Sequence, residues 1–482
     1  MRIFDNAIFD KKCYLKSLFG LALMVPLQMA TGGSGFAMLV PFAFASIMTK
    51  RIEQMIFWLL SSMMLIVGNQ YLLPKGPAFY VAQRVIFIFM GFFMLIQIFG
   101  RRQSPFVSPL MGMMFYCAYM AVVSLWGWNP VISSFKLFLF SIIYLAYYGV
   151  ANLAGQNPRF DPRKVRSVVL AISSFVIFGS VLLIPFPGIS QLTGEEYLEA
   201  LKSGGNVTSL FKGMTMHSQT LGPVVASMFA YLFADFVINV RRMNAIYLTL
   251  LLACPLLIYK TSSRTGMATM IMCVLFTGWF LMRIKGVGVR WRSKVRSLLF
   301  AVAAAVVVAV AALPSLRQSI VRFALKYNRE ATTSDFTVEG AMASRQFLID
   351  DQMENFRRSP MFGNGFQVSR MMAHQKIRTW KDLISAPIEK GVWVTAVLEE
   401  GGAVGLVILV GFLLVAGLMM MSRGAYTGLS VLIALTISNM AEFTMFSMSA
   451  MGGYFWAMVF VGAAMDSARV RQDRQQAVNF YR

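Results

Sequence analysis

Long runs of hydrophobic residues, separated by short polar stretches, cover most of the chain. A transmembrane helix needs about 20 apolar residues to cross a hydrocarbon layer of about 30 Å, and its backbone polar groups must bond to each other there. The pattern therefore predicts an all-α, polytopic membrane protein with about 12–14 transmembrane helices. The expected spans are 17–31, 34–48, 55–73, 80–99, 106–126, 134–153, 167–185, 220–239, 244–260, 266–283, 298–313, 397–421, 427–444 and 450–466, of which the first two are short enough to form a re-entrant hairpin.

Two hydrophilic segments interrupt this pattern: a modest loop at 187–218 and the only long polar stretch, at 314–391. A loop as long as the second crosses the membrane largely regardless of its own charge. The two segments divide the chain into four regions. These are an N-terminal transmembrane bundle at 1–186, a transmembrane region with an outer loop and a cationic turn at 187–313, an outer loop at 314–391, and C-terminal transmembrane helices with a basic tail at 392–482.

Part of the long outer segment is predicted to be helical. Its apolar residues recur along one face at helical spacing, at Met342, Ile349, Met353 and Phe356. Pro360 and the FGNG turn after it end this helix. Arg345 lies about 40° from the centre of the apolar face, at about 100° per residue. Its guanidinium is therefore expected either to snorkel or to point into a site.

Charge is distributed unevenly between the loops. The 482 residues are 57% hydrophobic and carry 44 Lys and Arg against 21 Asp and Glu, a net charge of +23. If the N-terminus is cytoplasmic, every short loop assigned to the inside is basic, and the inner segments hold more than half of the Lys and Arg. This positive-inside pattern predicts that both termini are cytoplasmic and that 187–218 and 314–391 lie outside. It also accounts for most of the positive charge without a nucleic-acid partner.

The residues suited to metal or redox chemistry are few. The four cysteines lack the spacing of a metal site or a disulfide and are expected to be packing residues: Cys13, Cys117, Cys254 and Cys273. Only two histidines occur, which excludes a multi-histidine metal centre. We therefore expect neither a metal nor a cofactor.

A cationic turn between two apolar spans is the first candidate for chemistry. It reads KTSSRTG at 260–266 and contains Lys260 and Arg264. An arginine at a bilayer boundary is costly unless it snorkels or binds something. A guanidinium binds phosphate oxygens through two parallel hydrogen bonds. Lys260 and Arg264 are therefore expected to hold a diphosphate, although a simple cap of a short outer loop would use the same residues.

Other cations and several carboxylates extend this candidate site. The further diphosphate ligands are expected to be Arg84, Lys212, Arg345 and Lys390. Glu399 and Glu400 lie in the outer half of an apolar span, where they can take a proton from an acceptor hydroxyl or pair with one of these cations. Asp235 is expected close to the inner face, where a charge is less costly than in the hydrocarbon.

The two histidines are the candidate bases. His217 stands at the outer mouth of the eighth span, and His374 lies in the basic stretch HQKIRTWK at 374–381. A lone histidine is more often structural than catalytic, and a basic outer stretch suits a solvated loop as well as a phosphate clamp. We expect one of the two to act as the base. We favour His217, because a span end positions a side chain more tightly than a loop does.

Three parts of the chain, taken in order, resemble the O-antigen ligase and polymerase superfamily of bacterial envelope glycosyltransferases. FKGMTMHSQTLGPVVA at 211–226 is similar to the family's G-x-F-x-H-x-N-x-L-G sequence, with His217 at the histidine. TSSRTG at 261–266 is similar to its Ser-Arg-Thr or Ser-Arg-Gly signature. SPMFGNGF at 359–366, followed by VLEEGGAVGL at 397–406, resembles its P-x-x-G-x-G-F and L-x-E-x-G-x-x-G sequences.

One position departs from the family pattern. The family commonly has a His-Asn pair shortly before the glutamate of its last motif, whereas this chain has Glu389 and Lys390 there. If that histidine does chemistry in the family, the resemblance implies that its role either passes to His374, Glu389 or Lys390 in this chain or is not needed here.

The resemblance implies glycosyl transfer at the periplasmic face of the bacterial inner membrane. The donor would be an undecaprenyl-diphosphate-linked glycan and the acceptor a hydroxyl group of a second glycan. Membrane lipids, a flippase and a chain-length regulator would be the other partners. We expect a polymerase of exopolysaccharide or surface-polysaccharide repeat units, because the histidine context of a ligase is altered. An O-antigen ligase acting on lipid A core is the alternative, and a lipid-linked glycan transporter is a second alternative.

Overall fold

A computed structural model describes residues 9–99, 103–158, 160–191, 211–239, 245–281, 297, 338–370, 390–440, 443–447 and 451–480. Within these ranges the chain is built from α-helices and contains no β-strand. The helices are α1 (Lys11–Ala30), α2 (Val40–Met48), α3 (Ile52–Val67), α4 (Pro77–Phe99), α5 (Met113–Ser124), α6 (Pro130–Gln156), α7 (Pro162–Leu182), α8 (Pro187–Ser190), α9 (Ser218–Asn239), α10 (Ala245–Lys260), α11 (Arg264–Leu281), α12 (Val338–Arg358), α13 (Trp393–Arg423), α14 (Tyr426–Ser438) and α15 (Met451–Phe480). Short 3₁₀ helices at Gly35–Leu39 and Ser108–Gly112 lead into α2 and α5.

Six of the described helices are long and apolar enough to cross a membrane, namely α1, α4, α6, α7, α9 and α13. Shorter apolar helices, α2, α3, α5 and α10, lie between them in the chain, and a further one, α14, follows the last of them. The hydrogen bonds within each helix satisfy its backbone polar groups, as the hydrocarbon requires. The prediction of an all-α, polytopic membrane protein is confirmed.

The predicted spans coincide with helices wherever the structure describes them, and the span expected at 298–313 lies outside the described residues. Several helix ends differ from the prediction: α1 and α7 begin six and five residues before the predicted spans, and α3 ends at Val67 rather than at residue 73. α14 stops at Ser438, because the side-chain oxygen of Asn439 accepts hydrogen bonds from the backbone N–H groups of Thr444 (2.6 Å) and Met445 (2.7 Å). α15 continues beyond the apolar run as far as Phe480. Of the two helices that the sequence allows to form a re-entrant hairpin, α2 has only nine residues and α1 has twenty.

The core is centred on α15, which packs against α14, α6, α3 and α9. The indole of Trp456 and the ring of Phe460 on α15 each lie 5.1 Å from the ring of Tyr144 on α6, in edge-to-face geometry. Such aromatic pairs add to the gain from burial alone. The cysteines fit the same picture, since three are buried and the fourth, Cys13, is half-buried, all with free thiols. Their predicted role as packing residues is confirmed.

The loops that the sequence assigns to the outside meet one another at one end of the bundle. The backbone N–H of Asn69 bonds to the carbonyl of Met214 (2.8 Å), and that of Trp128 bonds to Asn364 (2.9 Å). Segments assigned to the inside also meet one another, since Lys164 Nζ lies 3.6 Å from Glu53 Oε1 and the guanidinium of Arg471 donates to the carbonyl of Asn157 (2.8 Å). Which end of the bundle faces the outside stays a prediction.

The charge of Asp235 is stabilised by an ion pair, rather than only by the nearness to the inner face that the sequence predicts. Asp235 is buried near the end of α9, and both of its oxygens accept hydrogen bonds from the guanidinium of Arg166 on α7, at 2.8 and 3.0 Å. The hydroxyl of Tyr247 donates a third bond to the same carboxylate. A buried carboxylate is tolerated when a bidentate partner satisfies it, so this ion pair ties α7, α9 and α10 together.

Candidate functional site

The TSSRTG turn joins α10 to α11 and is fixed by its own side chains. The hydroxyl of Thr261 donates to the carbonyl of Ile258 (2.8 Å), and the Oγ of Ser263 accepts from the N–H of Gly266 (3.1 Å). The second bond makes Ser263 the N-cap of α11. Arg264 is thus the first residue of α11 and is half-buried, while Lys260, the last residue of α10, is exposed.

The start of α9 lies directly against this turn. A Cβ built on Gly222 would stand 2.1 Å from the Cβ of Ser263, and one built on Gly266 would stand 2.9 Å from the carbonyl of Gly222. Only glycine allows so close a crossing. His217, half-buried, precedes α9, and its carbonyl accepts the N–H groups of Thr220 and Leu221 at 3.1 Å. The crossing therefore brings two of the resembling motifs together.

This crossing also places the N-termini of α9 and α11 side by side, at the end of the bundle that the sequence predicts to be outside. A helix N-terminus carries a partial positive charge and unsatisfied N–H groups, which favour anions. A cation in the first turn of a helix is disfavoured by the same dipole, yet α11 begins with Arg264. The arrangement concentrates positive potential where Lys260, Arg264 and His217 lie.

The segment that leads to His217 is held by the loop after α3. The N–H of Met216 bonds to the carbonyl of Val67 (2.9 Å), and the amide of Asn69 donates to the carbonyl of Gly213 (2.8 Å). The ammonium of Lys212 lies 4.6 Å from the ring centroid of Tyr71 in the same loop, in cation–π geometry. Lys212, predicted as a diphosphate ligand, is thus at the same end of the bundle as the TSSRTG turn.

Asn69 and Lys75, which sequence reasoning missed, organise this loop. The ammonium of Lys75 donates to the carbonyls of Ile66 and Gly68, the latter at 2.8 Å, where α3 ends. Burial lowers the pKa of Lys75 to about 8. The available signal was the polar GNQ–PKG stretch between two apolar spans at 68–76.

The other two resembling motifs meet each other as well. α13 is kinked at Gly402, so the carbonyls of Glu399 and Glu400 lose their helical partners. The N–H groups of Asn364 and Gly365, in the turn after α12, bond to these carbonyls at 3.0 and 2.9 Å. In return, the N–H groups of residues 403 and 404 bond to the carbonyls of residues 360 and 361 at 2.8 and 3.2 Å. The turn therefore replaces the hydrogen bonds that the kink removes.

Two glycines make this docking possible. Gly402 has φ 65° and ψ −168°, a region open essentially to glycine alone. Its added Cβ would stand 2.3 Å from the carbonyl of Met361, and a Cβ on Gly363 would stand 2.4 Å from the backbone of Glu400. The close approach of the two backbones leaves no room for a side chain.

We predict that Gly402→Ala destabilises the protein by at least about 1–3 kcal/mol, because the backbone strain alone costs that much. Gly411→Ala is the matched control: it lies on the same helix, and a Cβ there meets nothing within 4 Å. That variant should gain about 0.5–1 kcal/mol from higher helix propensity. Melting temperatures of both purified variants in one detergent check the prediction, and equal values would contradict it.

A buried ion cluster lies beneath this turn. The Nζ of Lys390 lies 2.9 Å from Glu399 Oε2, 2.7 Å from Glu400 Oε1 and 2.9 Å from the carbonyl of Val368. Burial opposes the charged form of Lys390, but the two carboxylates outweigh it and hold its pKa above the ordinary value. The amide of Asn355 on α12 donates to Glu399 Oε1 at 2.9 Å.

This geometry alters the expectations for three predicted site residues. The ammonium of Lys390 donates hydrogen bonds to the carbonyl of Val368 and to Glu400, and it forms an ion pair with Glu399, while its role as a diphosphate ligand stays a prediction. Glu399 and Glu400 are at most 1% exposed. Of the two uses that the sequence leaves open for these carboxylates, pairing with a cation is the one seen in this structure.

The helix predicted in the long outer segment is confirmed as α12, and it ends at Arg358, two residues before Pro360. Its most buried described side chains are polar rather than apolar. The side chain of Gln352 accepts a hydrogen bond from Thr395 at the start of α13, and Asn355 reaches Glu399. Polar contacts, more than the predicted apolar stripe, dock α12 on the bundle.

Of the remaining predicted site residues, Arg84 is the one whose side chain the structure describes. Arg84 is half-buried on α4, which packs against α6, whereas Arg264 begins α11, which packs against α9 and α14. Arg345 lies on α12, and its side chain falls outside the described part of the chain. His374 and Glu389 also lie outside the described residues.

Comparison with known proteins supports two of the motifs, TSSRTG and SPMFGNGF. Residues 248–390 match the family model described as O-antigen ligase. No curated protein matches the chain significantly. The matched region contains the TSSRTG turn, α11, α12 and the FGNG turn, and it ends at Lys390. The match confirms the resemblance to the O-antigen ligase and polymerase superfamily, and it supports an enzyme of that general type.

Proposed function

We propose that the protein polymerises undecaprenyl-diphosphate-linked oligosaccharide repeat units of an exopolysaccharide or surface polysaccharide. The reaction takes place at the periplasmic face of the inner membrane. The observation that carries the proposal is the crossing of α9 and α11 at Gly222. It joins the TSSRTG turn, within the family match, to the start of α9 and His217.

In the proposed reaction an acceptor hydroxyl attacks the anomeric carbon of the donor sugar. The bond between that carbon and the diphosphate oxygen breaks, the diphosphate leaves on its lipid, and the hydroxyl proton passes to a base. Arg264, Lys260 and the two helix N-termini stabilise the charge of the leaving diphosphate. Because this charge is met by protein groups and the diphosphate is a good leaving group, the proposed transfer requires no metal ion.

A ligase that transfers the chain to lipid A core is the second candidate, favoured by the description of the matched family. Purified protein in liposomes, given labelled lipid-linked oligosaccharide with and without core acceptor, separates the two. A ladder of products formed without the core indicates a polymerase, whereas a single product that needs the core indicates a ligase. Carriage of the donor across the bilayer without any new glycosidic bond would indicate a transporter and reject both.

The proposed orientation gives a separate prediction. In a background with the four native cysteines replaced, Asp335→Cys should react with an impermeant maleimide added to intact spheroplasts, and Lys164→Cys should react only after lysis. The reason is the basic charge of the loops at one end of the bundle. The reverse pattern would place both termini at the periplasmic face and the TSSRTG turn at the cytoplasmic face, and would contradict the proposed orientation.

The base is tested by the two histidines. We predict that His217→Ala slows turnover more than it weakens donor binding, because His217 stands beside the crossing of α9 and α11. His374→Ala is the comparison, and it should raise the KM for the donor with a smaller change in kcat if His374 only holds phosphate. If both variants keep the wild-type kcat, histidine is not the base in this protein.

A further inference from the structure

Two adjoining loops at the outer end expose large apolar side chains. The turn after α12 exposes Met361 and Phe362, each 54% accessible, and the loop after α5 exposes Leu125 and Trp126, each 65% accessible. The two loops touch, since the N–H of Trp128 bonds to the carbonyl of Asn364 at 2.9 Å. We call these four exposed side chains, on two loops that touch, the outer apolar patch.

Three carbonyls of the turn after α12 are bonded to protein groups. The carbonyls of Pro360 and Met361 accept N–H groups of α13, and that of Gly363 accepts the hydroxyl of Ser359 at 2.9 Å. The hydroxyl of Tyr119 on α5 lies 3.5 Å from the carbonyl of Phe362 and 2.6 Å from the carbonyl of Gly401, to which it donates. A loop that faces water does not need its carbonyls bonded in this way, whereas irregular backbone in contact with lipid does.

The height of the patch on the bundle corresponds to a membrane boundary. α13 is 31 residues long, about 45 Å at 1.5 Å per residue, and so exceeds a hydrocarbon layer of about 30 Å. From its inner end at Arg423 to the kink at Gly402 the helix runs about 32 Å. Gly402, where the turn docks, therefore lies near the outer edge of the hydrocarbon.

The patch is also continuous with the surface that faces lipid. On α13, just below Gly402, Val407 is 72% exposed, and on α5, just below Leu125, Val122 is 50% exposed. Tryptophan and phenylalanine at this level match the aromatic residues that anchor membrane proteins at the interface.

We infer that the outer apolar patch inserts into the outer leaflet of the bilayer, with lipid acyl chains and the headgroup boundary as its partner. This contact holds the turn, and with it the end of α12, at the depth of the lipid headgroups. The inference stands whether or not the protein transfers glycans.

The test uses spin labels on the full chain reconstituted in phosphatidylcholine liposomes, with the native cysteines replaced. The probes are Phe362→Cys and, as a second reporter, Trp126→Cys. Leu418→Cys on the exposed face of α13 is the lipid control, and Arg370→Cys in the same outer segment is the aqueous control. Oxygen partitions into lipid, and a nickel chelate stays in water, so their relative collision rates report depth.

We expect positions 362 and 126 to collide more often with oxygen than with the nickel chelate, as Leu418→Cys does, and Arg370→Cys to show the opposite preference. A preference for nickel at both reporters would show that the patch faces water. Low collision rates with both reagents would show that protein covers it, either a second copy or another part of the outer segment. Either result overturns the inference.

Discussion

Arg264→Ala is expected to reduce product formation by at least about 10²-fold, the loss typical when one charge-stabilising donor is removed from a transition state. Arg264 begins α11 beside the start of α9, so its guanidinium is placed where two helix N-termini already favour an anion. Arg264→Lys should recover little activity, because an ammonium cannot form two parallel hydrogen bonds with phosphate oxygens. Initial rates with labelled lipid-linked donor measure both effects.

The control for this experiment is Arg163→Ala, which removes an exposed cation at the opposite end of the bundle. It should keep the wild-type rate. Arg264→Ala should also keep near-normal membrane expression and melting temperature, so that a loss of rate reports chemistry. Full activity in Arg264→Ala would remove the centre of the proposed site.

Lys390→Met is expected to destabilise the fold by about 3–5 kcal/mol, the usual result of removing one partner from a buried ion pair. Without the ammonium, Glu399 and Glu400 would stay buried and would lose the cation that lies 2.9 and 2.7 Å from their carboxylate oxygens. The melting temperature and the yield of folded protein in detergent measure the loss. Lys260→Met is the matched control for stability, because Lys260 is exposed at the same end of the bundle and its removal should change the melting temperature little.

A second variant separates the cluster from a catalytic role. In Lys390→Met combined with Glu399→Gln and Glu400→Gln, the buried charges are removed together, so part of the lost stability should return. If Lys390→Met instead folds as well as the wild type and loses only turnover, Lys390 serves the reaction directly. That outcome would restore its predicted role as a diphosphate ligand.

Local patterns in the sequence were sufficient for the helices and the turns. Apolar runs located α4, α6, α7, α9 and α13, and Pro360 with the glycines after it marked the end of α12. These features depend on neighbours within one or two helical turns, where periodicity and breaker residues carry the information.

Contacts between distant segments were not accessible in the same way. The exchange of backbone hydrogen bonds between the FGNG turn and the kink at Gly402 joins residues about 40 positions apart, and the glycines signalled only that a turn was present. Asn69 and Met214, which also share a backbone hydrogen bond, are further apart still in the sequence. The start of α13 brings Glu399 and Glu400 back to Lys390. Helical spacing does not predict this pairing, so the sequence alone could not select these two carboxylates as the partners of Lys390.

The release of free undecaprenyl diphosphate tests the central claim most directly. Purified protein in liposomes would be given lipid-linked repeat units in the presence of EDTA, and both the released lipid diphosphate and the new glycosidic bonds would be counted. We predict one released diphosphate for each bond formed, with both lost together in Arg264→Ala. Donor that binds, or crosses the bilayer, with no diphosphate released would contradict glycosyl transfer by this protein.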